Sequence, residues 1–513
     1  MLELLGGVGA AGVVAACGGG TSGSGGASQG GTPAKAVVAQ GVDPTTMDPH
    51  QQRETTTVNL LRHLYDPLME RDATNAQKFN GILASSWDRV SPTVTRFHLR
   101  RGVTFSGGET FDAGTVVYNI ERVLGRTAEG KPPLIAYLFP TLKGATKVDD
   151  YTVDVETTAP DPVLIPVLTG LLIVPTGAAD KDPHALAATP NGTGPYTLVR
   201  WDRNNQVLLE AKPRYHLGGA RIENVTFKTM PDASSRLAGL QSGAVDIITN
   251  LPPDNIKDAT STGKARVESV PSDRVVAIWL DTLTNPILAK RDVRIALNYA
   301  VDADTIVKTV MDGYAVRLAT IVPPYFAGYD RDVKPFPYDP QKARKMLAQA
   351  GHPNGFSMHM MVPRGRYLNG EQIAQAVAGY LGKVGVKVQI DLVEFGIFAK
   401  ATQERKIQDS FLGADGESSL DPTPLMQTVV VTGTTGFSWF SDPKIDQSVA
   451  QAASTVDPAA HARALQQAQV ELKANPAFIY LFVYKDLYGV SKRLDWRPRT
   501  DEEIYLYDVP AQK

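Results

Sequence analysis

Residues 16 to 31, ACGGGTSGSGGASQGG, hold the only cysteine of the 513-residue chain and match two patterns associated with active sites. Gly18, Gly20 and Gly23 satisfy G-x-G-x-x-G, whose glycines let a backbone wrap a pyrophosphate at a helix N-terminus. Gly26, Ser28 and Gly30 satisfy G-x-S-x-G, whose serine needs a sharp strand-to-helix turn to expose its hydroxyl. Neither pattern has a strand before it, and a tract of glycine and serine meets such loose patterns by chance. No cofactor loop and no catalytic residue is expected here. One cysteine excludes an internal disulfide framework or a cysteine-based zinc cluster. The eight histidines contain no H-E-x-x-H pair, and a Gly-Phe turn separates His352 from His359. They are expected to be solvated or hydrogen-bonded, with no metal and no cofactor. Asp415 and Glu417, in FLGADGESSLDPTP, are acids of the kind a glycosidase pairs, although sequence spacing does not measure their separation.

Cys17 has a different chemistry available. Residues 4 to 16, LLGGVGAAGVVAA, have the length of a signal-peptide apolar region. They end in Val14-Ala15-Ala16-Cys17, which resembles a bacterial lipobox, so residues 1–17 are expected to be a lipoprotein signal ending at a lipidated Cys17. No Lys or Arg precedes Cys17 and Glu3 is acidic, so the true start is expected to lie upstream. Residues 18–35 are almost all Gly, Ser, Thr, Gln and Ala, a flexible tether with a reach of roughly 23 Å. A diacylated cysteine anchors stably.

The elements that must position any site begin after Pro33. The composition is that of a folded protein, 43% hydrophobic and 21% charged with a net charge of −2. It has no basic stripe with interleaved aromatics, and no nucleic-acid partner is expected. Residues 83 to 108 read as paired strands with Phe97, Leu99 and Val103 on the apolar side. FDAGTVVYNIERVLG reads as an amphipathic helix, with Asp112 as its N-cap, an apolar face from Val116 to Leu124, and Gly125 in the left-handed position beyond its end. Residues 192 to 215 read as a hairpin. IENVTFKTM, DASSRLAGLQSG and AVDIITN form a β-α-β unit capped by Asp232 and stopped by Gly243. Further helices carry Asp302 with Gly313, and Asp339-Pro340 with Gly351. Helices alternating with strands at this spacing predict an α/β fold with mixed sheets.

The wording and order of these segments resemble family 5 of the extracytoplasmic solute-binding proteins, the dipeptide-, oligopeptide- and nickel-binding receptors of ABC importers. The strongest block is LASSWDRVSPTVTRFHLRRGVTFSGGETFDAGTVVYNIERVL. GTGPYTLVRW, LQSGAVDI, VRIALNYAVDADTIV and YDPQKARKMLAQAG follow in the family's order. The resemblance implies a periplasmic-binding-protein-like fold of type II, cluster C, with two cleft-forming lobes plus an extra inserted lobe. Lobe I would comprise 36–57, 190–276 and 486–513, lobe II 58–189, and lobe III 277–485. It implies a monomeric, non-enzymatic receptor on the extracytoplasmic face of the membrane. Short peptides would be captured between lobes and delivered to ABC permease subunits.

In that family's peptide receptors a carboxylate before a D-P step holds the peptide ammonium, and Asp415 occupies the matching place. The spacing to Asp421-Pro422 is about two residues longer than in the dipeptide receptor, which makes Glu417 a competitor. An arginine holds the peptide carboxylate, and MMVPRGRYLNG offers Arg364 and Arg366. Trp439, in GFSWFSDP, would wall a side-chain pocket. Opines, glycosides and metal chelates are the alternative ligands within the family. A secreted hydrolase, or an adaptor that presents ligand to a sensor, is the alternative outside transport.

Overall fold

Two long strands, Ala265–Leu280 and Phe478–Ser491, run antiparallel through the middle of an eleven-stranded mixed sheet. The structure, a computed structural model, describes residues 34–507 and 509, apart from 53, 76, 179, 181, 183, 365 and 434–437. Cys17, the expected signal segment and the tether up to residue 33 lie outside the described residues.

On one side of the crossing pair the sheet continues through Ser410–Gly416, Ser357–Pro363 and Lys387–Val393. On the other it continues through Ile247–Ile248, Lys35–Gln40, Asn224–Thr229, Gln206–Ala211 and Tyr196–Asp202, while Ala315–Arg317 pairs separately with the last strand. The last two strands of that half are the expected hairpin, paired antiparallel from Tyr196 with Ala211.

Strand Ala265–Leu280 shows why the core sits where it does. Side chains alternate across a strand, and here both faces are covered. Val276, Ile278 and Leu280 pack with the helices Arg291–Ala300 and Gly370–Gly382. Val275, Ala277 and Trp279 pack on the opposite face with Pro422–Val429, Pro443–Ser454 and Pro458–Ala474. A strand buried on both faces reads as a continuous apolar run, which is how AFIYLFVY also appears in the sequence.

The helix ends follow their local chemistry. Asp112 accepts from the backbone of Thr115 in a capping box on Ala113–Val123. Asp232, Asp302 and Asp339 cap their helices in the same way, and Gly243 and Gly351 adopt positive φ beyond two of them. One helix is shorter than expected: Ala303–Thr309 stops before Gly313, because Asp312 and Gly313 turn through φ 48° and 78°.

A separate antiparallel sheet of Ala84–Ser91, Val94–Leu99, Thr152–Thr157 and Leu142–Asp149 has its own core with the helix Ala113–Val123. Its attachment to the main body is polar as well as apolar. The Arg122 side chain, 0% exposed, reaches from that helix to Asp48 at 2.7 Å and Glu129 at 2.6 Å. Nη1 also lies 3.0 Å from His50 Nδ1, whose ring Nε2 is 2.8 Å from the Leu172 carbonyl. The carbonyl requires a proton on Nε2, which leaves Nδ1 to accept from the arginine. Burial, then the Arg122 charge, push His50 down to about 4. Close backbone approach completes the junction. A Cβ on Gly194 would lie 2.6 Å from the Leu64 carbonyl carbon, which explains the glycine in GTGPY.

Removing Arg122 would leave Asp48 and Glu129 buried without a cation, a loss of about 3–5 kcal/mol. Arg122→Met is therefore expected to lower the melting temperature in calorimetry well beyond a neutral surface substitution. A second expectation concerns Asp66, buried beside this junction, whose Oδ1 accepts from the Tyr215 hydroxyl at 2.9 Å. Burial pushes its carboxyl up to about 6. A raised acid destabilises the fold once ionised, so stability falls as pH rises from about 4 through 6. Asp66→Asn should raise stability at pH 8 by up to about 3 kcal/mol, read as a higher melting temperature, and have no such effect at pH 4.

Candidate functional site

A cleft of about 870 Å³ opens where the crossing strands, the unit built on the four-stranded sheet and both halves of the main sheet meet. Its walls differ in character. Ile135, Leu138, Pro166 and Val167, beside the four-stranded sheet, form an apolar side, and Arg62, Arg274, Arg366, Asp415, Glu417, Asp486 and Glu502 form a charged one.

Asp415 and Gly416 end the strand Ser410–Gly416, paired with Val275 and Arg274 of the first crossing strand. The chain then turns. Glu417 Oε1 accepts from Ser419 N at 3.0 Å, its carbonyl accepts from Leu420 N at 2.9 Å, and Leu420 adopts φ 53°. Glu417 therefore spends one carboxylate oxygen on its own turn, and its residue is buried. Asp421 follows as the cap of Pro422–Val429, with Oδ1 accepting from Thr423 N at 2.9 Å and Oδ2 lying 2.8 Å from His461 Nε2. Burial opposes the charged form of His461, but the Asp421 carboxylate outweighs it and holds the imidazole above its ordinary value. This ion pair fixes the segment that presents Asp415.

The two arginines part company. Arg364 is exposed and outside the cleft wall, with its N–H donating to the Val393 carbonyl at 2.8 Å in continuation of the strand pairing. Arg366, beyond the turn, lines the cleft with Tyr367, and its guanidinium lies 5.6 Å from that ring. Burial, then the Asp415 charge, push the Tyr367 hydroxyl up, so acid, phenol and guanidinium share one end of the site. Trp439 is elsewhere: 4% exposed, edge-on to Phe411 at 5.9 Å in the core beneath the sheet, and absent from the cleft wall.

Several charged residues of the cleft have no counterpart among those expected from sequence. Arg274 forks onto Glu502 at 3.0 and 3.1 Å, Arg62 onto Glu503 at 3.1 and 2.6 Å, and Arg499 onto Asp501 at 2.9 and 2.6 Å. The acids are consecutive, Asp501-Glu502-Glu503, and that charged run after the last buried strand is the signal that could have marked them. Arg71, from the strand Met69–Arg71, spans the cleft. Its Nη2 donates to the carbonyls of Ser418 (3.4 Å) and Ser419, while its own carbonyl accepts from Arg499 at 2.9 Å.

The model of the bacterial extracellular solute-binding proteins, family 5, matches residues 78–437. The chain belongs to that family. Among relatives of this family-5 chain, the glutathione-binding protein GsiB of Escherichia coli K12 is 28% identical over 477 residues, covering 89% of this chain and 90% of its own. HbpA2 from Haemophilus parasuis superposes with a TM-score of 0.81 at 25% identity, over 93% of this chain and all of its own. DppA from Helicobacter pylori, in complex with the peptide STSA, superposes with a TM-score of 0.80 at 22% identity, over 94% of this chain and 99% of its own. The fold is thus that of the family-5 binding proteins, and the chain is a solute-binding protein.

The Arg71 bridge ties the strand Met69–Arg71 to the loop that follows Asp415 across the cleft, which favours its closed form. Arg71→Ala is expected to increase the radius of gyration of the unliganded protein in solution scattering. It should also weaken ligand binding by roughly ten-fold, the scale of lost hydrogen bonds from a charged donor.

Proposed function

We propose that this protein captures short peptides in the cleft and hands them to the permease of an ABC importer. The observation that carries this reading is the placement of both charge types in one enclosed space. Asp415 and Arg366 both line the cleft; in this reading Asp415 takes the peptide ammonium, with Glu417 committed in part to its turn, and Arg366 takes the carboxylate. An arginine fork and a carboxylate together recognise the ends of a zwitterion whatever its side chains. The glutathione-binding relative supports the peptide class, since glutathione is itself a tripeptide. The apolar wall of Ile135, Leu138, Pro166 and Val167 gives a side chain somewhere to bury.

Closure follows from contacts made on both sides of the cleft. In this reading residues 36–57, 190–276 and 486–513 act as lobe I, 58–189 as lobe II and 277–485 as lobe III. Asp415, Glu417 and Arg366 come from lobe III, facing Arg62 and Glu502 of the other two. Arg364 and Trp439, both outside the cleft wall, do not touch the peptide in this reading. A lipid on Cys17 would hold the monomer on the extracytoplasmic face of the membrane, with no cofactor or metal in its action.

Native mass spectrometry with a library of dipeptides to pentapeptides, glutathione, an opine and a nickel–histidine chelate tests the ligand class. Retention of intact peptides is expected. Retention of only the opine or the chelate would overturn the peptide assignment, and cleaved peptides would overturn the receptor reading. Asp415→Ala should weaken peptide binding by about 30-fold or more, as removal of one partner of a desolvated charge pair does. An unchanged affinity would take Asp415 out of the site.

A further inference from the structure

His461 sits behind the cleft wall on the helix Pro458–Ala474, buried, with a hydrogen-bond acceptor on each side of its ring. Nδ1 lies 2.9 Å from the Ala452 carbonyl and Nε2 lies 2.8 Å from Asp421 Oδ2. A carbonyl only accepts, so Nδ1 carries a proton. Asp421 Oδ1 accepts from Thr423 N at 2.9 Å as the cap of Pro422–Val429, a position that favours the ionised carboxylate. Nε2 therefore carries a proton too, and the ring is an imidazolium. A neutral imidazole has one N–H and would leave one of these two buried acceptors facing a lone pair.

What the imidazolium holds is the turn that follows Asp415. The Asp421 N–H donates to Ser419 Oγ at 3.3 Å, and Ser419 N donates to Glu417 Oε1 at 3.0 Å. Arg71 reaches this turn from across the cleft, through the Ser418 and Ser419 carbonyls, and Met69 of the same strand packs in the core of the four-stranded unit. The charges around the ring also come from both units. The helix Pro443–Ser454 presents the Ala452 carbonyl, and Asp457, on the ring's own helix, directs its carboxylate to Ala460 N at 2.8 Å. Asp161 belongs to the four-stranded unit. Its Oδ1 accepts from Val163 N at 2.8 Å and its Oδ2 from the Thr141 hydroxyl, while Arg89 donates to its carbonyl at 3.1 Å. Burial raises the Asp161 carboxyl against those bonds. Burial also works against the charge on His461, and the Asp421 carboxylate, the Ala452 carbonyl and the Asp161 charge outweigh it.

We propose that His461 is a positioning residue whose proton fastens the Asp415 turn in the closed cleft, so that ligand capture is linked to proton uptake on this ring. When the cleft opens, Asp161 and Arg71 withdraw with their unit, and the imidazolium loses part of what stabilises it. The closed form holds the proton more tightly. By linkage, affinity is then full below the ordinary histidine range and falls as pH rises through and above it. The link applies to any solute that closes the cleft, and rests on the peptide reading only for the probe used to test it.

NMR titration of the full chain labelled at histidine Cε1 tests it, with the His461 signal assigned by its loss in His461→Gln. In the unliganded protein the midpoint is expected above about pH 6.5. Arg71→Ala should move it to lower pH by about 0.5, or about three-fold in proton affinity, and saturating Ala-Ala-Ala should move it to higher pH. In calorimetry the affinity for Ala-Ala-Ala should fall about three-fold more between about pH 6 and pH 8 in the unsubstituted protein than in His461→Gln. Titration of the peptide's own ammonium cancels in that comparison. A midpoint at or below about pH 6.5 would overturn the proposal, and so would one unmoved by bound peptide or by Arg71→Ala. If Ala-Ala-Ala does not bind at either pH, the peptide reading fails, and the response to Arg71→Ala alone decides the role of His461. Where His461→Gln does not fold, Asp161→Asn serves instead: one histidine signal should move to lower pH, and no movement would overturn the proposal.

Discussion

The antiparallel pairing of Ala265–Leu280 with Phe478–Ser491 is the constraint on which everything else hangs. Both halves of the sheet are built outward from these two strands, and both faces of the first are buried under helices in the half that carries Asp415. A ladder that ran unbroken would make the halves one stiff slab. The three residues Ser272–Arg274 break it. Bulges bend a strand and raise its local twist, so the sheet acquires its change of direction at the point where the cleft opens. The charged residues of the floor lie at that break because its backbone is not fully engaged in the sheet.

The cleft is held by charge pairs that tie the C-terminal segment to distant parts of the chain. The forks of Arg62 on Glu503 and Arg274 on Glu502 bind the C-terminal segment to the first helix and to the crossing strand. Arg71 and Arg499 extend the series toward Ser418 and Ser419. A paired buried charge contributes little net stability but is costly to break. The effect of such a series is to make the relative placement of its elements specific, which a receptor needs more than it needs a larger core.

What could be read from the sequence was local. Asp112, Asp232 and Asp339 identified helix starts because a cap and its donors lie within three residues. Asp415 and Arg366 were reached through resemblance to a family block, and both line the cleft. Arg364 and Arg366 could not be separated, since the turn between them decides which one faces the cleft. Trp439 fits its core position as readily as a pocket wall. The floor of the site was out of reach for a different reason. Arg274 meets Glu502 across 228 residues and Arg71 meets Ser419 across 348, distances at which sequence pattern carries no signal.

The same crossing pair bears on how the chain acquires its shape. The partner of residues 265–280 is the strand that ends at Ser491, so the centre of the sheet is completed only after about 200 further residues have been synthesised. Until then the earlier strand exposes an apolar edge and two apolar faces, the kind of surface that aggregates. The four-stranded sheet around Ala113–Val123 is complete by residue 157 and its core by residue 173, so this unit is free to form early. A long-range pairing of this kind makes the final step slow and all-or-none, and a chain cut short before residue 478 would lack a centre rather than merely a tail.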